Sequence, residues 1–279
     1  MLKYDVLVSP LIAVRAKPLP DGSSPHWSPL SHTLIHGPTE AALVDPPITN
    51  AQTEALGDWI ASFGKRLKAI YITHWHADHW FGAQCLSQRF GATVYATQIN
   101  IDKMKAGTPD GVPAAIWKDL FPGQLPAEPV EIVAQPMPAD GFTIDGEPLL
   151  ALAAGHSDTN DTTVLHAPSI GLVAAGDVVY NNVHQLLSES GGGGMDGWRR
   201  AIDVVAGLKP KYVVAGHKDV TRDDAPRIID ETRHYLDVAE EFLAAKPTRR
   251  QFYDRMQHRF PERVNPYTIW LTALRLLPE

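Results

Sequence analysis

Short apolar runs of period two fill the first part of the chain, at Asp5 to Ser9, Leu11 to Arg15, His32 to His36 and Ala41 to Asp45, and predict antiparallel strands. The Pro-, Gly- and Ser-rich stretch from Pro18 to Pro29 predicts a surface loop. Spacing becomes helical from Asn50 to Phe63, where Ala55, Leu56, Trp59, Ile60 and Phe63 share a face. A strand to Ile72, a helix from His79 to Phe90 and a strand from Thr93 to Ala96 follow. Residues 98 to 128, broken by Pro109, Pro113, Pro122 and Pro126, read as a helical or irregular insertion of the kind that covers a substrate. Strand-like runs return at Val130 to Val133, Phe142 to Ile144, Leu149 to Ala153, Thr162 to His166 and Gly171 to Ala175, so one β-rich half follows another. The Gly191 to Gly194 run precedes a helix from Trp198 to Gly207, and Lys211 to Ala215 is a last strand. From about Asp223 to Leu277 the pattern is helical, interrupted near Pro247, Pro261 and Pro266. Leu236, Phe242, Phe252, Met256, Trp270 and Leu274 give those helices an amphipathic surface that suits packing on the main domain, with a lid or a homodimer contact as alternatives.

The polar positions carry the chemistry. Immediately after the strand ending at Ile72, Thr73-His74-Trp75-His76-Ala77-Asp78-His79 packs three imidazoles and a carboxylate into six positions. Neutral imidazole and carboxylate are the ligands that suit Zn²⁺ and its first-row neighbours, and a strand end lets each side chain turn inward. Three more ligand-type residues each follow an apolar run and a glycine: His156 after Gly155, Asp177 after Gly176 and His217 after Gly216. A sheet delivers such distant segments to one edge, and glycine permits the turn that would strain other residues.

Composition narrows the function. The chain of 279 residues is 44% hydrophobic, enough for one main domain with a large core. A net charge of −7 gives no chain-wide attraction to nucleic acid or anionic membrane. The single cysteine, Cys85, cannot form an internal disulfide, no run reaches membrane-spanning length, and the first residues lack a signal-peptide core, so a cytoplasmic protein is expected.

The hexad and the three later positions resemble the metallo-β-lactamase-fold hydrolase superfamily over roughly Tyr4 to Val220. The resemblance implies an α/β fold, a four-layer αβ/βα sandwich forming a catalytic domain over residues 1–221. Residues 222–279 would be a C-terminal helical extension packed on that domain. It implies two Zn²⁺ per chain, with Mn²⁺ or Fe as alternatives. His74, His76 and His156 would hold one ion, Asp78, His79 and His217 the other, and Asp177 would bridge them. Asp45, at the end of an early strand, would support a ligand from behind, and Asp158 and Asp161 would orient imidazoles or cap a turn. A hydroxide bridging two ions about 3.5–4 Å apart is then the nucleophile, with Asp78 orienting it and carrying a proton to the leaving group.

Departures from subfamily patterns bear on the substrate. No cysteine stands at a ligand position, and Asp177 is present where one lactamase branch lacks a bridging Asp, which counts against a dedicated β-lactamase. Tyr180, three residues after Asp177, resembles a tyrosine of the acyl-homoserine lactonase branch and is a candidate oxyanion donor. Trp75, Trp80 and His184 are candidate pocket residues, whereas His26, His32 and His36 read as structural or surface. The expected reaction is hydrolysis of a small ester or lactone. Phosphodiester hydrolysis, β-lactam or amide hydrolysis and a mononuclear iron oxygenase acting on persulfides are the alternatives. Lys218 is the only basic residue beside a ligand, fewer than a phosphodiester would call for.

Overall fold

A computed structural model describes residues 1–106, 114–126 and 133–278. Strands β1 (Lys3–Ser9), β4 (Leu30–His36), β5 (Glu40–Val44), β6 (Arg66–Tyr71), β7 (Thr93–Ala96) and β8 (Gln135–Pro136) belong to one mixed sheet, with β13 (Tyr180–Asn181) and β15 (His217–Lys218) at its far end. Within it β1, β4 and β5 are antiparallel neighbours, and β5 to β8 run parallel. The second sheet takes β9 (Phe142–Ile144), β10 (Glu147–Gly155), β11 (Thr162–Ala167), β12 (Leu172–Ala174) and β14 (Tyr212–Val214) in the order β14-β12-β11-β10-β9.

The inner strands are apolar on both faces, and successive residues enter different clusters. Ile35, Ala42, Val44, Ala69 and Tyr71 meet Ile144, Leu149, Leu165, Leu172 and Val214 between the two sheets. Their neighbours Leu34, Leu43, Ile70, Val164, Val173 and Val213 turn outward to the helical layers. Period-two alternation with both faces buried is what a helix-sheet-sheet-helix sandwich demands. Each large aliphatic side chain buried this way contributes about 1.5–3 kcal/mol.

The outer layers are α1 (Asn50–Ser62), α2 (Ala83–Phe90), α3 (Gln98–Ala106), α4 (Ala114–Leu120), α5 (Gly194–Gly207), α6 (Ile228–Ala244), α7 (Arg249–Arg259) and α8 (Tyr267–Leu276). Thr49 and Gln52 form a capping box on α1, and Thr248 and Gln251 form another on α7, each satisfying otherwise orphaned amides. Leu236 of α6, Phe252 and Met256 of α7 and Ile269 of α8 join the same apolar cluster as Leu34 and Ile70. Among the described residues no helix is long and apolar enough to cross a membrane.

Three expectations shift. The helix expected from His79 begins at Ala83, because Ala77–His79 form a single 3-10 turn that keeps Asp78 and His79 pointed inward. The stretch from Pro18 to Pro29 is not loop throughout: β2 (Ile12–Ala13) pairs with β3 (His26–Trp27), and Trp27 is buried. The insertion contains α3 and α4, while the strand expected at 130 to 133 falls mostly outside the described residues.

Candidate metal centre

The hexad leaves β6 beside the end of β5, where Asp45 sits at φ 53. A left-handed aspartate is uncommon and is held here by its bonds. Asp45 accepts from the Thr73 amide at 2.8 Å, from Thr73 Oγ1 at 2.7 Å and from His79 Nδ1 at 3.0 Å. Because Thr73 Oγ1 donates to Asp45, it accepts from His74 Nδ1 at 2.9 Å. His217 Nδ1 donates to the Pro29 carbonyl at 2.9 Å, and His76 Nε2 donates to Glu189 Oε1 at 3.2 Å. Each of these four imidazoles thus spends one nitrogen on an outer partner, and the lone pair of the other turns toward its neighbours. That is how metal-ligating histidines are oriented.

The inward atoms converge in three overlapping groups, His74 with His76 and Asp158, His74 with His79 and Asp177, and Asp78 with His79 and His217, each with ligand atoms within 4.8 Å of one another. Asp177 is 3.4 Å from His79 Nε2 through Oδ1 and 3.2 Å from His217 Nε2 through Oδ2. Asp78 Oδ2 is 3.5 Å from His217 Nε2 and 3.8 Å from His79 Nε2. Ligands about 2.0–2.2 Å from one tetrahedral ion stand about 3.3–3.6 Å apart, so these separations suit shared ions better than direct hydrogen bonds. His74 Nε2, His79 Nε2, Asp158 Oδ2 and Asp177 Oδ1 are buried without a hydrogen-bond partner. Four orphaned polar atoms aimed at one another would be costly unless a cation satisfied them, and the residues therefore fit a metal.

Two side chains that the sequence did not single out hold the ligand-type carboxylate and imidazole in place. The Trp27 indole donates to Asp78 Oδ2 at 2.7 Å, and Glu189 takes His76 as described. Neither carries a spacing signal: Trp27 lies in a Pro- and Ser-rich stretch, and Glu189 just before the glycine run. Gly216 is required by close approach, since a Cβ there would collide with Asp177 and lie 3.0 Å from His79 Cε1.

Burial and charge set the protonation of the metal-free cluster. Burial opposes the charged form of His79, yet Asp177, Asp78 and Asp45 outweigh it and lift its pKa to about 10. His74 goes the other way, pushed well below 6.5 by burial and by His79. Burial raises Asp177, but His217 and His79 more than reverse that and hold it low.

The remaining expected residues divide. His156 stays out of the groups: its Nδ1 meets Asn160 Oδ1 at 2.9 Å and its ring lies against Gly194 and Gly197 of α5. Tyr180 is buried beside the cluster with its hydroxyl donating to Asp177 Oδ2 at 2.6 Å, so its proton is committed to that carboxylate. Burial, then Asp177, push its pKa well above 10. Trp75 lines a cavity of about 350 Å³ that opens on His76, together with Trp27, Trp117, Tyr267 and Leu271. Trp80 is not among the lining residues and instead donates to the Trp75 carbonyl at 2.7 Å. His184 is a correction: it is buried against Tyr235, 3.2 Å from its hydroxyl, and burial lowers its pKa to about 3. Lys218 is ion-paired with Asp224.

Comparison with known proteins agrees with this geometry. Residues 29–217 match the family model of the metallo-beta-lactamase superfamily. A metallo-beta-lactamase type 2 from Bacteroides fragilis is 28% identical over 200 residues, covering 68% of this chain and 70% of the relative. Among solved structures, a metallo-beta-lactamase from Pontibacter korlensis superposes with a TM-score of 0.57 at 21% identity, covering 85% of this chain and 99% of that one. The FIM-1 enzyme of Pseudomonas aeruginosa, solved in a mono-zinc form, gives 0.57 at 17% identity, with 85% and 92% covered. The chain belongs to the metallo-β-lactamase superfamily, and its histidine- and carboxylate-rich edge is the site of a metal-dependent hydrolase.

Proposed function

We propose that the protein hydrolyses a small carboxylic ester or lactone with an apolar substituent, using two zinc ions held by the cluster. The observation that carries the substrate class is the cavity of about 350 Å³ that opens on His76, its wall largely aromatic and aliphatic. A phosphodiester would need several cations at that wall. Among the described residues the cavity has one, Arg275, and Lys218 is tied to Asp224. Arg275 is exposed and makes no ion pair among the described residues, which suits a carboxylate or ester oxygen at the mouth.

When bound, two ions supply Lewis acidity and lower the pKa of a water toward neutrality. The chain's own groups do the rest. Asp78, fixed by the Trp27 indole, is placed to receive a proton from the attacking water and return it to the leaving oxygen. Tyr180 keeps Asp177 in one orientation between the two halves of the cluster. Trp27, Trp75 and Trp117 exclude water from the substrate's apolar part.

A second reading, amide hydrolysis of a β-lactam, is favoured by the naming of the Bacteroides fragilis relative. Zinc-loaded protein assayed against lactones, aryl esters, β-lactams and bis(p-nitrophenyl) phosphate separates the readings. Turnover of esters or lactones that rises with the size of the apolar group is expected. Turnover confined to β-lactams would install the second reading, and oxygen consumption with persulfide by an iron-loaded protein that hydrolyses nothing on the panel would overturn both.

A further inference from the structure

We infer that Thr272 of α8 is a positioning residue for the metal centre, fixing the turn from which Glu189 reaches His76 Nε2. Glu189 Oε1 takes that nitrogen at 3.2 Å, and Thr159 also faces the carboxylate. Neither contact sets the backbone from which this long, rotamer-rich side chain starts. The backbone is set two residues earlier. The Leu187 amide donates to Thr272 Oγ1 at 3.0 Å, and the Ser190 amide donates to the Leu187 carbonyl at 3.0 Å, closing a turn with Glu189 in third place. On the far side lie Gly191, Gly192 and Gly193, which carry no side chain, two of them at positive φ. Among the described residues, Thr272 is therefore the last hydrogen-bonded anchor from outside the loop before Glu189.

Thr272 completes a series. From Asn182 to Leu187 the loop after β13 is tied along its length to the C-terminal helices and the segment joining them. The Val264 amide donates to the Asn182 carbonyl and the His184 amide to the Val264 carbonyl, both at 3.0 Å. Arg263 Nη1 donates to the Val183 carbonyl at 2.8 Å, Gln185 Nε2 to the Thr232 carbonyl at 3.1 Å, and Thr268 Oγ1 to the His184 carbonyl at 2.9 Å. Thr272 and Leu187 are both buried, so removing the Thr272 oxygen drives the Leu187 amide to shift toward another partner rather than stay unpaired, and the turn that carries Glu189 shifts with it. These helices lie beyond residue 217, where the family match ends. A segment outside that match thus holds an outer partner of a ligand-type histidine inside it.

The inference rests on the metal-holding reading of the cluster but on no substrate, and its test reads zinc affinity by competition with a chromogenic chelator rather than turnover. Circular dichroism confirms the fold of each full-length variant. Thr272→Val is expected to lose about tenfold in affinity, the lower end for a partner that orients a ligating histidine, and Thr272→Ser, which keeps the acceptor, to stay within about twofold of the parent. Made on a Glu189→Ala background, Thr272→Val should cost less than about twofold more, because two changes that act through one contact do not add. Thr268→Val cuts the tie at His184, loosening the same loop farther from Glu189, and should keep affinity within about twofold. Thr272→Ala carries the same expectations where Thr272→Val does not fold. Parent-like affinity in Thr272→Val, its full loss repeated on the Glu189→Ala background, an equal loss in Thr268→Val, or no rescue by Thr272→Ser would each overturn the assignment while leaving the cluster a metal site. A parent chain that binds no zinc would overturn the cluster and the assignment together.

Discussion

On one side of His76, the sheet edge crowds His74, Asp78, His79, Asp177 and His217 into a buried cluster in which almost every polar atom is either tied to an outer partner or left for a cation. On the other side, the cavity is walled by Trp117 of α4 and by Tyr267 and Leu271 of α8, packed through apolar contact. The two regions obey different physics. Buried charges lose several kcal/mol of hydration each unless geometry compensates, so the edge tolerates almost no change. An apolar wall is judged on volume and hydrophobicity, so it tolerates substitution and can retune selectivity. The family match ends at His217, leaving α8 outside it. The cavity wall draws on both parts of the chain, with Trp75, Trp117 and Leu186 inside the match and Tyr267, Leu271 and Leu274 beyond it.

The contrast can be broken at several strengths. His76→Ala removes the residue that belongs to both regions, and activity should fall to background with loss of bound metal; unchanged turnover in a metal-replete variant would remove the cluster from the reaction. Glu189→Gln keeps the shape but weakens the hold on His76 Nε2, and should cost roughly 10–100-fold in metal affinity by competition with a chromogenic chelator. Affinity equal to that of the parent would reduce Glu189 to part of the cavity wall. Tyr180→Phe frees Asp177 Oδ2 from its donor and should lower kcat by about tenfold, the lower end for a group that orients a ligand-type carboxylate, with metal stoichiometry intact. If kcat and metal affinity both stay unchanged, the hydroxyl serves packing alone. Leu274→Ala, at an exposed position on the cavity wall, should raise KM for the most apolar ester by only a fewfold and leave kcat in place. A fall in kcat comparable to that of Tyr180→Phe would show that the wall is not separable from the chemistry.

Much of the edge was legible because its signals are contiguous or repeated. The hexad lies in one turn, and Asp45, Asp177 and His217 each follow the end of a strand by a few residues at most, which places them at the same rim of a sandwich. The two-sheet core was legible too, since strands buried on both faces leave a dense apolar pattern. Trp27 and Glu189 were not, because each acts on a residue far away in sequence, 51 positions in one case and 113 in the other. His184 looked available for substrate in a loop, yet α6 and α8 close over it, and no local pattern reports that.

The sequence by itself determined which ligand-type residues are available, the strand ends near which they lie and the apolar periodicity that stacks two sheets, because these depend on residue type and on spacing along a strand. Tertiary structure decided which carboxylate takes His76 Nε2, and that the last helix walls the cavity. The reason is directional. Spacing fixes which rim a side chain reaches, but distant partners such as Glu189 and Trp27 and the packing of α8 fix where it points.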